Sequence, residues 1–354
     1  MKMRTMTNEW NGAPHLLCVQ LGAPADVLAC TPALRALRAQ CPERRLTLLA
    51  APAGAALAPC LPDVDAALAY AAPWTEGGIA ATPGTHLDWI SRLAAERFDG
   101  AVIFTRPGRS ALPAALLCRL AGILLRAGWC RDDPSGLLTH WIADPEPGAL
   151  RRHAVQRQLD LVRHLGAETA DERLAFVPSN ADAAAMRKRL QAAGIDPARR
   201  WLALHPGAGA QARRYAPQQW SELIAALHAR IGCPFVLTGS ARDLAALDAI
   251  ATPLGAQVHV LAGEVGIGEL GALLAQASLV VSSNAESTQL AAAVGTPVVS
   301  LLADPEYAPW QVPGRVPGHG IDGLDTLEST RVCDCVCSLL KQTETERIRE
   351  AELE

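Results

Sequence analysis

Short apolar runs alternate with longer segments of helical period along most of the chain, the pattern that βαβ units of a parallel sheet produce. In the first half His15–Leu21, Arg45–Ala51, Val64–Tyr70 and Gly100–Thr105 read as strands, with helices opened or broken by Pro, Gly and polar residues between them. In the second half the strands are Trp201–His205, Pro234–Thr238, Val258–Leu261, Leu279–Ser283 and Pro297–Leu302, separated by helices such as Pro217–Arg230 and Ile267–Gln276. Each half therefore predicts a Rossmann-like α/β domain. Between them, Asp171–Arg200 holds a polar helix opening (Ser179, Asn180, Asp182), a charged helix around Met186–Ala193 and the breaker Pro197. The expected division is a first domain at 1–175, a linker at 176–199, a second domain at 200–340 and a charged tail at 341–354. From Leu339 onward the pattern has little apolar periodicity and reads as a solvated or frayed helix.

A chain of 354 residues suits two domains better than one core. Half of it is hydrophobic but only 4% is aromatic, so Ala, Leu and Val must build the interior, which favours α/β over an all-β sandwich. The apolar stretch Ala111–Gly128 is interrupted by Pro113, Arg119 and Arg126, and reads as a buried helix followed by a strand rather than a membrane span. A net charge of -4 and a pI near 6.2 offer no general attraction to nucleic acid. Met1–Asn11 is polar, with no apolar signal region, so a cytoplasmic chain without disulfides is expected. Of ten cysteines only Cys333, Cys335 and Cys337 cluster, and their spacing differs from the Cys-x-x-Cys of structural zinc sites. They read as reduced thiols, with metal binding as the rival reading.

Four segments could carry chemistry. After the first strand, Leu21-Gly22-Ala23-Pro24-Ala25-Asp26 is a loop of small residues ending on a carboxylate. Asp26 reads either as a first-turn helix charge or as a general base facing a crevice. The second domain opens with His205-Pro206-Gly207-Ala208-Gly209 and then Arg213 and Arg214, either a diphosphate cradle or a strand-to-helix turn with a solvated arginine pair. Thr238-Gly239 leads to Asp243, which could hold ribose hydroxyls or serve as a first-turn charge. Asn284, Ala285, Glu286 and Gln289 open a helix after a strand, as ligand-facing donors or as a helix cap. No Gly-x-Gly-x-x-Gly follows either opening strand, which argues against a dehydrogenase.

In this order and spacing, over about residues 15 to 310, these segments resemble the bacterial heptosyltransferase family, glycosyltransferase family 9. The resemblance rests on Leu-Gly-x-x-x-Asp-Val-Leu and Thr-Pro-Ala-Leu-Arg-Ala-Leu in the first half, and on His153 with Leu159-Asp160-Leu161-Val162-Arg163-His164-Leu165-Gly166. The His-Pro-Gly-Ala-Gly loop, Leu237-Thr238-Gly239, Leu261-Ala262-Gly263 and the run Leu-Ala-Ala-Ala-x-Gly-Thr-Pro-Val-Val complete it. It implies the GT-B architecture, two Rossmann-like domains facing across a cleft, and inverting transfer of heptose from ADP-heptose to lipopolysaccharide core without a required metal or cofactor. By position Asp26 falls where the family has its base, Arg213 at the donor phosphates, Asp243 at the ribose and Val265 near the adenine, with Gly22, Ala23 and Arg106 on the acceptor side. The implied partners are a nucleotide sugar and a glycan acceptor, with room for peripheral contact with the inner membrane. Where the family has Asn-Asp-Ser/Thr-Gly-Pro-Met-His-Leu, this chain has Ser283-Asn284-Ala285-Glu286-Ser287-Thr288-Gln289-Leu290. Ala25 also replaces a glycine, and Tyr215-Ala216 replaces Trp-Pro. These departures leave two alternatives open, a transferase using another nucleotide sugar and a non-catalytic nucleotide- or glycan-binding homologue.

Overall fold

The computed structural model describes residues 9–75, 78, 82–146, 151–207, 215–263, 265–302, 304–317 and 327–351, without the side chains of residues 83, 350 and 351. The chain divides into two compact units, Met1–Ala175 and Phe176–Glu354.

The first unit runs β1 (His15–Gln20), α1 (Pro24–Ala29), α2 (Thr31–Gln40), β2 (Arg45–Ala50), α3 (Pro52–Ala55), β3 (Ala66–Ala69), α4 (Pro83–Ala95), β4 (Gly100–Ile103), α5 (Leu112–Leu120), β5 (Leu125–Cys130), β6 (His140–Ala143) and α6 (Ala154–Arg163). Its sheet is parallel in the order β3-β2-β1-β4-β5-β6. Strands β1, β2 and β4 are buried almost throughout, as a sheet covered on both faces requires. Thr31 and Pro32 separate α1 from α2: the Thr31 hydroxyl donates to the Leu28 carbonyl, and proline sits in the first turn of the new helix. On α2, Ala33, Leu34, Ala36 and Leu37 pack with Leu16, Cys18 and Leu46 of the strands.

The second unit runs α7 (Asn180–Ala192), β7 (Leu202–His205), α8 (Pro217–Ile231), β8 (Phe235–Gly239), α9 (Leu244–Ala251), β9 (Val258–Ala262), α10 (Ile267–Gln276), β10 (Leu279–Ser282), α11 (Ala285–Ala293), β11 (Val298–Ser300), β12 (Gly314–Arg315) and α12 (Ser329–Ala351). The sheet order, β12-β11-β10-β7-β8-β9, repeats the topology of the first unit. Residues 176–199, expected as a linker, fall within this unit. A Cβ on Gly271 of α10 would lie 2.3 Å from the Phe176 ring, and one on Gly268 would lie 2.7 Å from Asp182 of α7, so these segments pack closely.

One helix runs across the expected boundary between the second domain and the tail. Helix α12 begins at Ser329, well before the tail boundary, and buries Val332, Cys333, Val336, Leu339 and Leu340 in the core with Trp220, Leu223 and Leu227 of α8. Each such side chain contributes about 1.5–3 kcal/mol by leaving water. Only the outer part, from Glu344 to Arg349, is mostly exposed.

Candidate functional site

In both units the chain leaves its first strand towards one edge of the sheet and its fourth towards the other. The loops after β1 and β4, and after β7 and β10, therefore diverge, and open parallel sheets take ligands in such crevices at the carboxyl ends of strands.

In the first unit this place carries Asp26 and Arg106. The Gln20 amide oxygen accepts the Gly22 N–H at 3.0 Å, fixing the loop as it leaves β1. Asp26 lies in the first turn of α1, where its Oδ2 accepts the Ala23 N–H at 2.8 Å. Its Oδ1 is 3.7 Å from Nε of Arg106, whose side chain is 45% exposed while that of Asp26 is 2% exposed. A Cβ on Gly22 would lie 2.3 Å from Asp26 Oδ2, so only glycine leaves room for the carboxylate. Oδ2 of Asp26 thus serves the first turn of α1, while Oδ1 faces Arg106.

The position of Arg106 depends on residues that the sequence did not flag. Next to it, the Thr105 carbonyl accepts Arg157 Nε at 2.9 Å and Gln158 Nε2 at 3.1 Å. Arg157, wholly buried, forms ion pairs at 2.7 Å with both Asp144 and Glu146, and Arg152 pairs with Glu146 at 2.8 Å. Burial pushes both carboxyls up, but hydrogen bonds from Arg157 and Arg152 outweigh it and hold them below the usual carboxylate range.

In the second unit His205 ends β7 beside Thr238 of β8, and its Nδ1 is 2.8 Å from the Thr238 hydroxyl. Burial pushes the His205 imidazole down to about 4, against the opposing pull of Asp243. A Cβ on Gly207 would lie 3.3 Å from both His205 Nε2 and Asp243 Oδ2. A Cβ on Gly239 would also lie 3.3 Å from Asp243 Oδ2. That oxygen accepts the Ser240 N–H at 2.9 Å and its hydroxyl at 2.6 Å. His205, Gly207, Gly239 and Asp243 thus come together, while the buried Thr238 hydroxyl is engaged by its neighbours.

The start of α11 closes on the same loop. Asn284 Nδ2 donates to the Gly207 carbonyl at 2.6 Å, its Oδ1 caps the helix by accepting the Ser287 N–H at 2.8 Å, and the Ser283 hydroxyl lies 3.0 Å from the Pro206 carbonyl. Ala285 is half-buried and Glu286 exposed. Gln289 is fully buried, and its Nε2 donates to the Tyr307 and Ala308 carbonyls at 2.9 and 3.3 Å, so its amide holds the chain after β11. Val265 is half-buried just ahead of α10. Ala208, Gly209, Arg213 and Arg214 lie outside the described residues.

Cys333, Cys335 and Cys337 share α12, and burial, reinforced by Cys337, pushes the Cys333 thiol up to about 11. Among the described residues no group of three or more His, Cys, Asp or Glu could hold a metal ion. None of the described helices is long and apolar enough to cross a membrane.

The fold is shared with a family 9 glycosyltransferase from Veillonella parvula (TM-score 0.77, 15% identity, 93% of this chain and 97% of that one). It is shared also with Escherichia coli ADP-heptose LPS heptosyltransferase II (TM-score 0.75, 23% identity, 93% of this chain and 99% of that one). Both are built on two parallel α/β units, the GT-B architecture. In sequence the chain is 31% identical over 164 residues to lipopolysaccharide heptosyltransferase 3 of Escherichia coli, a match covering 45% of this chain and 47% of that protein. It thus spans about half the length of the curated relatives it matches. Residues 89–312, more than half of the sequence, match the profile of glycosyltransferase family 9 (heptosyltransferase), and the chain belongs to that family.

Proposed function

We propose that the protein is an inverting glycosyltransferase that moves a sugar, heptose from ADP-heptose, to a lipopolysaccharide-core or related glycan acceptor. The observation that carries this reading is the family match over residues 89–312, and Asp26 beside Arg106 at the crevice of the first sheet supports it. In the proposed reaction an acceptor hydroxyl attacks the anomeric carbon and gives its proton to Asp26. The new glycosidic C–O bond forms as the C–O bond to the diphosphate breaks on the opposite face. The nucleoside diphosphate leaves with both bonding electrons, its charge met by Arg213, Arg214 and N–H groups at the start of α11. Arg106 is assigned to steady the Asp26 carboxyl from 3.7 Å and to meet the acceptor.

A second reading is a non-catalytic binding homologue. It is favoured by Gln289, which stands where the family has histidine and is fully buried on backbone carbonyls. The two separate on incubation with ADP-, UDP- and GDP-linked sugars plus a glycan acceptor, following nucleoside diphosphate release. The transferase reading predicts release by the wild type and a loss of at least about a hundredfold in Asp26→Asn. Nucleotide-sugar binding without release by either protein sinks the transferase and leaves the binder.

A further inference from the structure

Behind Asp26, two buried side chains fasten the turn that carries it. Gln20, the last residue of β1, is 2% exposed, and its amide reaches from Gly22 to Cys30. The Gly22 N–H can only donate, so the amide atom 3.0 Å from it is the oxygen, and the amide nitrogen faces the Cys30 sulfur at 3.6 Å. Burial pushes the Cys30 thiol well up, so near neutral pH it keeps its proton and donates it to the Asp26 carbonyl at 3.2 Å. The Cys30 N–H goes to the Val27 carbonyl at 3.0 Å, so from four residues along the chain it is the thiol that meets the Asp26 carbonyl.

We infer that Gln20 is a positioning residue for proton transfer at Asp26, acting from one end of the turn through the Gly22 and Ala23 backbone and from the other through Cys30. The inference rests on the reading of Asp26 as the base of the transferase. Ala23 is the link at the front: its N–H holds Asp26 Oδ2 at 2.8 Å, and its carbonyl accepts the Asp26 N–H at 2.9 Å. Gly22, one residue ahead, has the widest backbone freedom in the turn, and fastening its N–H removes that freedom. A rotation there would swing the Ala23 N–H off Oδ2 and turn Oδ1 away from Arg106, 3.7 Å distant. Glutamine suits the place because one neutral group supplies both the acceptor for Gly22 and the donor for Cys30, whereas a charged side chain buried this deeply would carry a desolvation cost.

The test measures kcat and KM for the full-length wild type, Gln20→Met, Cys30→Ala, Cys30→Ser and the double variant Gln20→Met/Cys30→Ala. The donors are ADP-, UDP- and GDP-linked sugars, the acceptor is a lipopolysaccharide-core oligosaccharide, and denaturant unfolding gives the folded fraction of each variant. Methionine fills the volume of glutamine but offers the Gly22 N–H no oxygen. Gln20→Met should lower kcat per folded molecule at least about tenfold, with both KM values within about twofold of the wild type. Cys30→Ala should lower kcat less, and Cys30→Ser, which keeps a donor and an acceptor, should recover part of that loss. The double variant should fall little below Gln20→Met, because the two side chains act as one strap. A wild-type kcat per folded molecule in Gln20→Met, or a loss carried wholly by KM, overturns the inference and leaves the proposed function standing. A wild type that transfers none of these sugars, or an Asp26→Asn variant that transfers as fast, overturns the transferase reading and this inference with it.

Discussion

Two residues set conditions that can be measured. Gly22 is needed for the space it leaves: a methyl there would overlap Asp26 Oδ2, 2.3 Å away, and displace the carboxylate. A misplacement of about 1 Å at a reacting group can cost about a hundredfold in rate. Gly22→Ala should therefore lower kcat by about that factor in the transfer assay while the protein still folds. His205 gives a pH signature. Its imidazole is pushed from 6.5 down to about 4, so below 6.5 the unfolded chain takes a proton that the folded chain refuses. Stability is then complete above 6.5 and is lost as pH falls towards 4, by at most about 2 kcal/mol between pH 7 and pH 5. Denaturant titrations at the two pH values should show His205→Gln losing less stability on acidification than the wild type. Equal losses would mean that His205 is not held neutral.

At the scale of elements, Arg157 ties the end of β4 to the chain after β6 through Thr105, Asp144 and Glu146. Removing it leaves two ionised carboxylates short of a partner, and breaking a buried ion pair from one side costs about 3–5 kcal/mol. Arg152 still faces Glu146, so Arg157→Met should destabilise the first unit by about 3 kcal/mol in denaturant unfolding and should also slow transfer by loosening the Arg106 loop. Elements also decided what the sequence could reveal. The central strands stood out because burial on both faces makes them continuous apolar runs. His140–Ala143 was missed because only four residues pair and some are exposed, and Gly314–Arg315 is shorter still. The charged outer half of α12 was legible as a solvated helix, but its inner half from Ser329 was not, because the buried face there is built partly from cysteines.

For the whole molecule, the loops that hold the site followed from the strand assignments, since ligands gather at the carboxyl ends of parallel strands. The positions of Gly22, Asp26, Gly207 and Asp243 after β1, β7 and β8 were legible for that reason. The His205–Thr238 contact was not, because it joins residues 33 positions apart and exists only in the β7–β8 register. Nor was the burial of Gln289, which depends on the distant carbonyls of Tyr307 and Ala308. The central claim is transfer of a sugar, and the most direct measurement is NMR of the acceptor after incubating wild-type protein with ADP-heptose and a lipopolysaccharide-core oligosaccharide. The account predicts one new heptosyl linkage per ADP released, with inverted anomeric configuration and none formed by Asp26→Asn. An unmodified acceptor beside intact ADP-heptose, or a linkage formed equally well by Asp26→Asn, would contradict it.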